Sequence, residues 1–117
     1  MRPNLQHTEN TMEALNAARR LGVPAIEIDV RTSADGHLIV MHDDTLTRTT
    51  TCTGRVSART LDDVLSNCRG RVNGERLPTL EKVLSWSSRN RLNVVIDLKR
   101  DEAWTPELFT RLEQLVV

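Results

Sequence analysis

The sequence is poor in aromatic side chains: tyrosine is absent, and Phe109, Trp86 and Trp104 make up the whole complement. Proteins that bind single-stranded nucleic acid stack bases on such rings, so that kind of surface is argued against. An excess of one charge is missing too, because 16 Lys and Arg offset 16 Asp and Glu. With no overall field to draw in nucleic acid or an anionic membrane, any charged site has to be local. No segment approaches the roughly 20 apolar residues that span a bilayer. The opening MRPNLQHTEN also lacks the apolar core of a secretory leader. The chain therefore reads as soluble and cytoplasmic. Cysteine is scarce, and Cys52 and Cys68, which lack the close spacing of a zinc or redox site, read as free thiols. Flexible linkers, internal repeats and low-complexity tracts are absent as well, so 117 residues make one domain, 1–117.

What is present is a regular alternation of elements. Asn10 followed by Glu13, with Met12, Leu15, Ala18 and Leu21 at helical spacing and Gly22 beyond, predicts a helix over 11–21. AIEIDV after Pro24 and HLIVMHD after the Ala34-Asp35-Gly36 turn read as strands. TLDDVLSNC and PTLEKVLSWSS each offer a Thr cap before an apolar stripe, and so read as helices. LNVVIDLK is too short and too β-branched for a helix, and a last helix opens at Pro106. Strands alternating with helices predict βαβ units in a parallel sheet. With two to four strands available, an eight-stranded α/β barrel, which typically needs about 250 residues, would be only about half present.

Two of the strands carry polar residues where a sheet covered on both faces should be apolar. In the first, Ile26, Ile28 and Val30 share one side and Glu27 and Asp29 the other. In the last, Val94, Ile96 and Leu98 share one side, while Asn93, Val95, Asp97 and Lys99 share the other. Three carboxylates converging near strand ends, where α/β folds hold their ligands, suit a hard divalent cation, Mg²⁺ or Ca²⁺. His42, at the end of the intervening apolar run, could move a proton beside that ion, and Lys99 could neutralise an anionic substrate oxygen. A metal, a His and a Lys at one strand-end site point to phosphoryl-ester chemistry. Each member also has a plainer reading: a solvent-facing edge strand, a structural His, or a surface ion pair worth under about 1 kcal/mol. The joint pattern favours function.

At this point the chain resembles the glycerophosphodiester phosphodiesterase family. The stretches that carry the resemblance are ENTMEAL (9–15), AIEIDVRTSADGHLIVMHDDTLTRTT (25–50), TGRV (53–56), LPTLEKVL (77–84) and NVVIDLK (93–99). The resemblance implies an α/β fold forming roughly the N-terminal half of a (βα)8 TIM barrel. It also implies hydrolysis of glycerophosphodiesters to an alcohol and glycerol 3-phosphate with a divalent cation. Carried over position by position, Glu27, Asp29 and Asp97 would be metal ligands, His42 one of two catalytic histidines and Lys99 the phosphate-facing lysine. Glutamate is usual where Asp97 stands. Glu9 is read as a helix-start residue only.

The family's first strand, with its His-Arg-Gly, has no counterpart. Arg2 and His7 are the residues nearest that place, and Thr8 stands where the family has Pro. The later barrel strands are likewise absent, so two sheet edges would be covered by the missing barrel half or by a second copy of the chain. Two alternatives follow: a non-catalytic fragment that binds or assembles, and a sphingomyelinase D-like phospholipid substrate, against which the HDDTLTRTT text weighs.

Overall fold

The computed structural model of the chain describes residues 6–99 and 104–116, so Arg2 lies outside the described residues. Helix α1 (Met12–Arg20) starts one residue later than its cap signal suggested. Thr11 is the cap, its hydroxyl accepting the Ala14 N–H at 3.3 Å. Asn10 instead takes a left-handed backbone, φ 60°, which Asn tolerates far better than a β-branched Thr. Glu13 thus falls on the second helical residue, out of place for a capping box.

Strand β1 (Ala25–Thr32) leads through Gly36, at φ 78°, into the short β2 (Leu38–Val40). So short a connection can only reverse the chain. β2 therefore pairs antiparallel with β1, with Val30 opposite Val40, and the uniformly parallel sheet expected from the alternation of elements is corrected. β2 is also shorter than HLIVMHD. The Met41 N–H still donates to Asp29 O at 2.9 Å, but His42 has left the strand.

Helices α2 (Leu61–Asn67) and α3 (Leu80–Arg89) begin at Thr60 and Thr79, whose hydroxyls accept the Asp63 and Lys82 N–H groups at 3.2 Å. Strand β3 (Asn93–Leu98) then pairs parallel to β1 on its free side, giving the order β2-β1-β3, and α4 (Pro106–Val116) follows.

One face of this sheet is buried under helices. Ile26, Ile28 and Val30 join Leu38, Val40, Leu15, Leu80, Val83, Trp86 and Leu108 in the main core. Each such aliphatic side chain is worth roughly 1.5–3 kcal/mol in burial. The Trp86 indole N–H donates to Asn16 Oδ1 at 2.9 Å and ties α3 to α1. The opposite face carries Glu27, Asp29, Val95 and Asp97. Val95 there is 57 % exposed, far above the main-core residues.

A second, smaller core of Ile39, Met41, Leu46, Val56, Val64 and Leu77 fills the segment between β2 and α3, and includes both cysteines. Contrary to the free-thiol reading, Cys52 and Cys68 form a disulfide. Sequence spacing did not reveal it because the pairing comes from a local antiparallel alignment. Thr50 bridges Gly70, the Thr51 N–H donates to Arg69 O at 2.9 Å, and that register sets Cys52 opposite Cys68. Alongside, the Thr8 N–H and hydroxyl both donate to the Glu75 carboxylate, the hydroxyl at 2.7 Å. Gly70 lies so close that a methyl there would overlap Glu75 Oε1 and Thr8 Oγ1.

Two outcomes follow for stability. Thiol titration of the denatured, unreduced chain finds no free cysteine, and replacing both by Ser costs about 3 kcal/mol in urea unfolding, as expected for a bridge across 16 residues. Gly70→Ala costs about 2 kcal/mol in the same measurement, because the Thr8–Glu75 contact has to move.

Candidate functional site

The register of β1 and β3 builds the centre of the site. Asp29 is directly opposite Asp97 on the neighbouring strand, and Glu27 lies two residues before Asp29 on the same face. One oxygen from each of Glu27, Asp29 and Asp97 lies within 4.8 Å of the others. Lys99, two residues beyond Asp97, folds back so that its Nζ donates to Asp29 Oδ1 at 2.9 Å and to Asp97 Oδ2 at 2.8 Å. Trp104 holds this lysine by its backbone, the indole N–H donating to Lys99 O at 2.9 Å. On the other side of Asp29, Asn10 Nδ2 donates weakly to Oδ2 at 3.4 Å. Asn10 Oδ1 is buried without a partner among the described residues.

Charge and distance both suit a divalent cation. Three carboxylates and one ammonium leave a formal charge of about −2 on the cluster at neutral pH. An ion cannot hold two ligands farther apart than twice its ligand distance, roughly 4.8 Å for Ca²⁺ and roughly 4.1 Å for Mg²⁺. The oxygens as they stand are therefore within reach of Ca²⁺, and Mg²⁺ would need any pair near that upper limit to close slightly. The donors are all oxygen, as both ions prefer. Asp97 ionises below its ordinary value, chiefly through the hydrogen bond from Lys99, against the opposing cost of burial; a charge on His42 adds a smaller push. Lys99 is correspondingly raised by Asp97 and then by Asp29.

His42 stands just beyond β2 and is 54 % exposed. Its carbonyl accepts two hydrogen bonds from the buried Arg31, from Nη2 at 2.7 Å and Nε at 3.1 Å. Its Nδ1 pairs with Asp43 Oδ1 at 2.9 Å. Arg48 then grips Asp43 and Glu9 together. Nε and Nη2 donate to Asp43 at 2.8 and 3.0 Å, and Nη1 and Nη2 to the two Glu9 oxygens at 2.9 Å. Sequence reasoning passed over Asp43 and Arg48 and gave Glu9 a helix-start role. The only available signal was the density of charge in HDDTLTR. His7 is not at the acidic cluster; it lines a separate small pocket with Thr8, Glu9, Arg48 and Arg71.

The hydrogen bonds from Arg48 outweigh burial and, with His42, hold Asp43 at about 2. Its folded value lies below the unfolded one, so its contribution to stability is present above about pH 4 and is lost as the pH falls towards 2. Asp43→Asn should lower the unfolding free energy at pH 7 by about 1–2 kcal/mol, the half-exposed Arg48 limiting the effect. The gap between variant and parent should close in urea melts below about pH 3.

Comparison with known proteins agrees with this geometry. Residues 4–112 match the family model described as the Glycerophosphoryl diester phosphodiesterase family. A glycerophosphodiester phosphodiesterase of Caldanaerobacter subterraneus subsp. tengcongensis is 38 % identical over 96 residues, covering 78 % of this chain and 40 % of that protein. The crystal structure of a glycerophosphodiester phosphodiesterase from Agrobacterium tumefaciens superposes with a TM-score of 0.78 at 33 % identity, over 93 % of this chain and 48 % of that one. A phosphodiesterase from Oleispira antarctica, in complex with the product sn-glycerol-3-phosphate, superposes with a TM-score of 0.74 at 30 % identity, over 80 % of this chain and 40 % of that one. The chain thus spans less than half the length of these relatives and has the fold of about half of their TIM barrel. With nearly its whole length inside the family match and its strands superposing on family structures, the chain belongs to the glycerophosphoryl diester phosphodiesterase family.

Proposed function

We propose that this chain carries the acidic cluster and one of the two proton-transfer histidines of a glycerophosphodiesterase. The reaction is cation-dependent hydrolysis of a glycerophosphodiester to an alcohol and glycerol 3-phosphate. The observation that carries this reading is the convergence of Glu27, Asp29 and Asp97 with Lys99 on one sheet face. Glu27, Asp29 and Asp97 would hold Ca²⁺ or Mg²⁺, which supplies charge neutralisation at the phosphate oxygens when bound. Lys99 shares that task from the β3 side. A neighbouring glycerol hydroxyl forms the new P–O bond and gives up its proton, and the P–O bond to the alcohol breaks as the alcohol oxygen takes one. Water then opens the cyclic phosphate to glycerol 3-phosphate. His42 is the acid for the leaving alcohol or the base for the attacking hydroxyl. A glycerophosphodiester is small and anionic, so the negative charge of the carboxylate cluster has to be offset by the bound cation, with Lys99 beside it, before the phosphate can approach.

The described residues include no helix long and apolar enough to cross a membrane. The cytoplasmic expectation rested on the lack of an apolar leader core and of a membrane-spanning run; the Cys52–Cys68 disulfide favours an oxidising compartment instead. The non-catalytic reading keeps one supporting observation. Val95 and Glu27 are exposed on the face that carries the site, so this face needs a cover, either the rest of a barrel or a second copy.

Calorimetric titration of the chain with Ca²⁺ should show one site, lost in Asp29→Asn. Hydrolysis of glycerophosphocholine should be weak, should stop in EDTA, and should fall about a hundredfold or more in His42→Ala. Turnover that persists in EDTA or in the His42 variant would sink the catalytic reading. Binding without turnover would leave a metal-holding, non-catalytic domain.

A further inference from the structure

We propose that Glu9, Arg48 and Asp43 form a positioning chain that holds the His42 ring with its Nδ1–H donating to Asp43, so that Nε2 is the nitrogen presented to substrate. The inference builds on the reading of His42 as the proton-transfer residue, and it names which ring atom does that work.

The chain is continuous in geometry. His42 Nδ1 lies 2.9 Å from Asp43 Oδ1. The same carboxylate takes two hydrogen bonds from Arg48, and Arg48 in turn places one on each oxygen of Glu9. An ionised carboxylate only accepts, so the hydrogen between Asp43 and His42 belongs to Nδ1. Asp43 stays ionised through the physiological range because Arg48 faces it. In a neutral imidazole this leaves Nε2 with the lone pair, the form required of a base.

The residue is fastened at both ends. Arg31 grips the His42 carbonyl from inside β1, while Asp43 grips the ring. His42 has left the strand and is half exposed, so nothing in the sheet ladder fixes its side chain. Stability alone is an incomplete explanation for three charged side chains here, because the Asp43 contribution of about 1–2 kcal/mol needs only Arg48 and gives Glu9 no part. Orientation is a better one. Arg48 meets both carboxylates through two hydrogen bonds each, a planar fork that a Lys cannot reproduce. Glu9 comes from the turn before α1, 39 residues away from Arg48 in sequence, so the histidine loop is referenced to a different part of the fold.

Long-range proton–nitrogen correlation spectra of the ¹⁵N-labelled chain read the His42 tautomer directly, without turnover. Unmodified protein should show Nδ1–H as the dominant neutral form. Asp43→Ala should shift the ratio of Nδ1–H to Nε2–H about tenfold towards Nε2–H, the worth of one charge-assisted hydrogen bond. Arg48→Lys should shift it in the same direction by less, and Glu9→Gln by less again. Glu9→Gln keeps the volume and leaves Asp43 in place, so it reports even if the other variants fail to fold. Dominant Nε2–H in the unmodified protein, or a ratio unmoved by Glu9→Gln and by whichever other variants fold, would overturn the proposal. Intact tautomer shifts with no hydrolysis would count against the catalytic reading alone.

Discussion

The parallel register that sets Asp29 against Asp97 is the constraint on which the rest of this structure turns. Two like charges on facing positions of one sheet face oppose strand pairing unless a cation lies between them. Lys99 supplies that charge from the same strand as Asp97, reaching back over two residues. The apolar side of the same strands explains why the arrangement is tolerated. Ile26, Ile28 and Val30 are almost completely buried, and slipping the register by one residue would turn them outward and bring the acids into the core. Core burial therefore enforces a carboxylate cluster that electrostatics alone would disperse.

The site has two halves with different supports. The acidic half is carried on rigid strands, and its members are adjacent by strand pairing. The histidine half is carried on a bend after β2 and depends on side-chain ties: Arg31 to the backbone, Asp43 to the ring, Arg48 and Glu9 behind it. The disulfide and the Thr8–Glu75 contact brace the segment that follows, whose small core would otherwise have little to hold it. Ordered placement of a proton-transfer group on an irregular segment thus rests on charge-assisted hydrogen bonds and a covalent bridge, where a strand would have used ladder bonds.

How much of this was legible in the sequence varied with how local the determining interaction is. The starts of α2 and α3 could be read because a Thr cap acts within three residues, and α4 because Pro106 fits a first helical position. The face shared by Glu27 and Asp29 followed from the two-residue period of a strand. The cap of α1 was misplaced because Asn10 and Thr11 both qualify, and only the left-handed backbone at Asn10 decides between them. The direction of β2 was set by the Ser33–His37 turn, against the element alternation that suggested parallel strands. The disulfide and the Glu9–Arg48–Asp43 chain lay out of reach, since both depend on segments that meet only after the fold has formed.

Trp104 holds the carbonyl of Lys99, whereas Trp86 is buried between α1 and α3, and the sequence has no third indole. The intrinsic fluorescence of this protein is accordingly divided between two locations of different meaning. Emission from Trp104 follows the order of the lysine that bridges the acids, and emission from Trp86 follows the helical layer. Replacing either indole by Phe would leave a chain that reports optically on one region alone, with no dye attached.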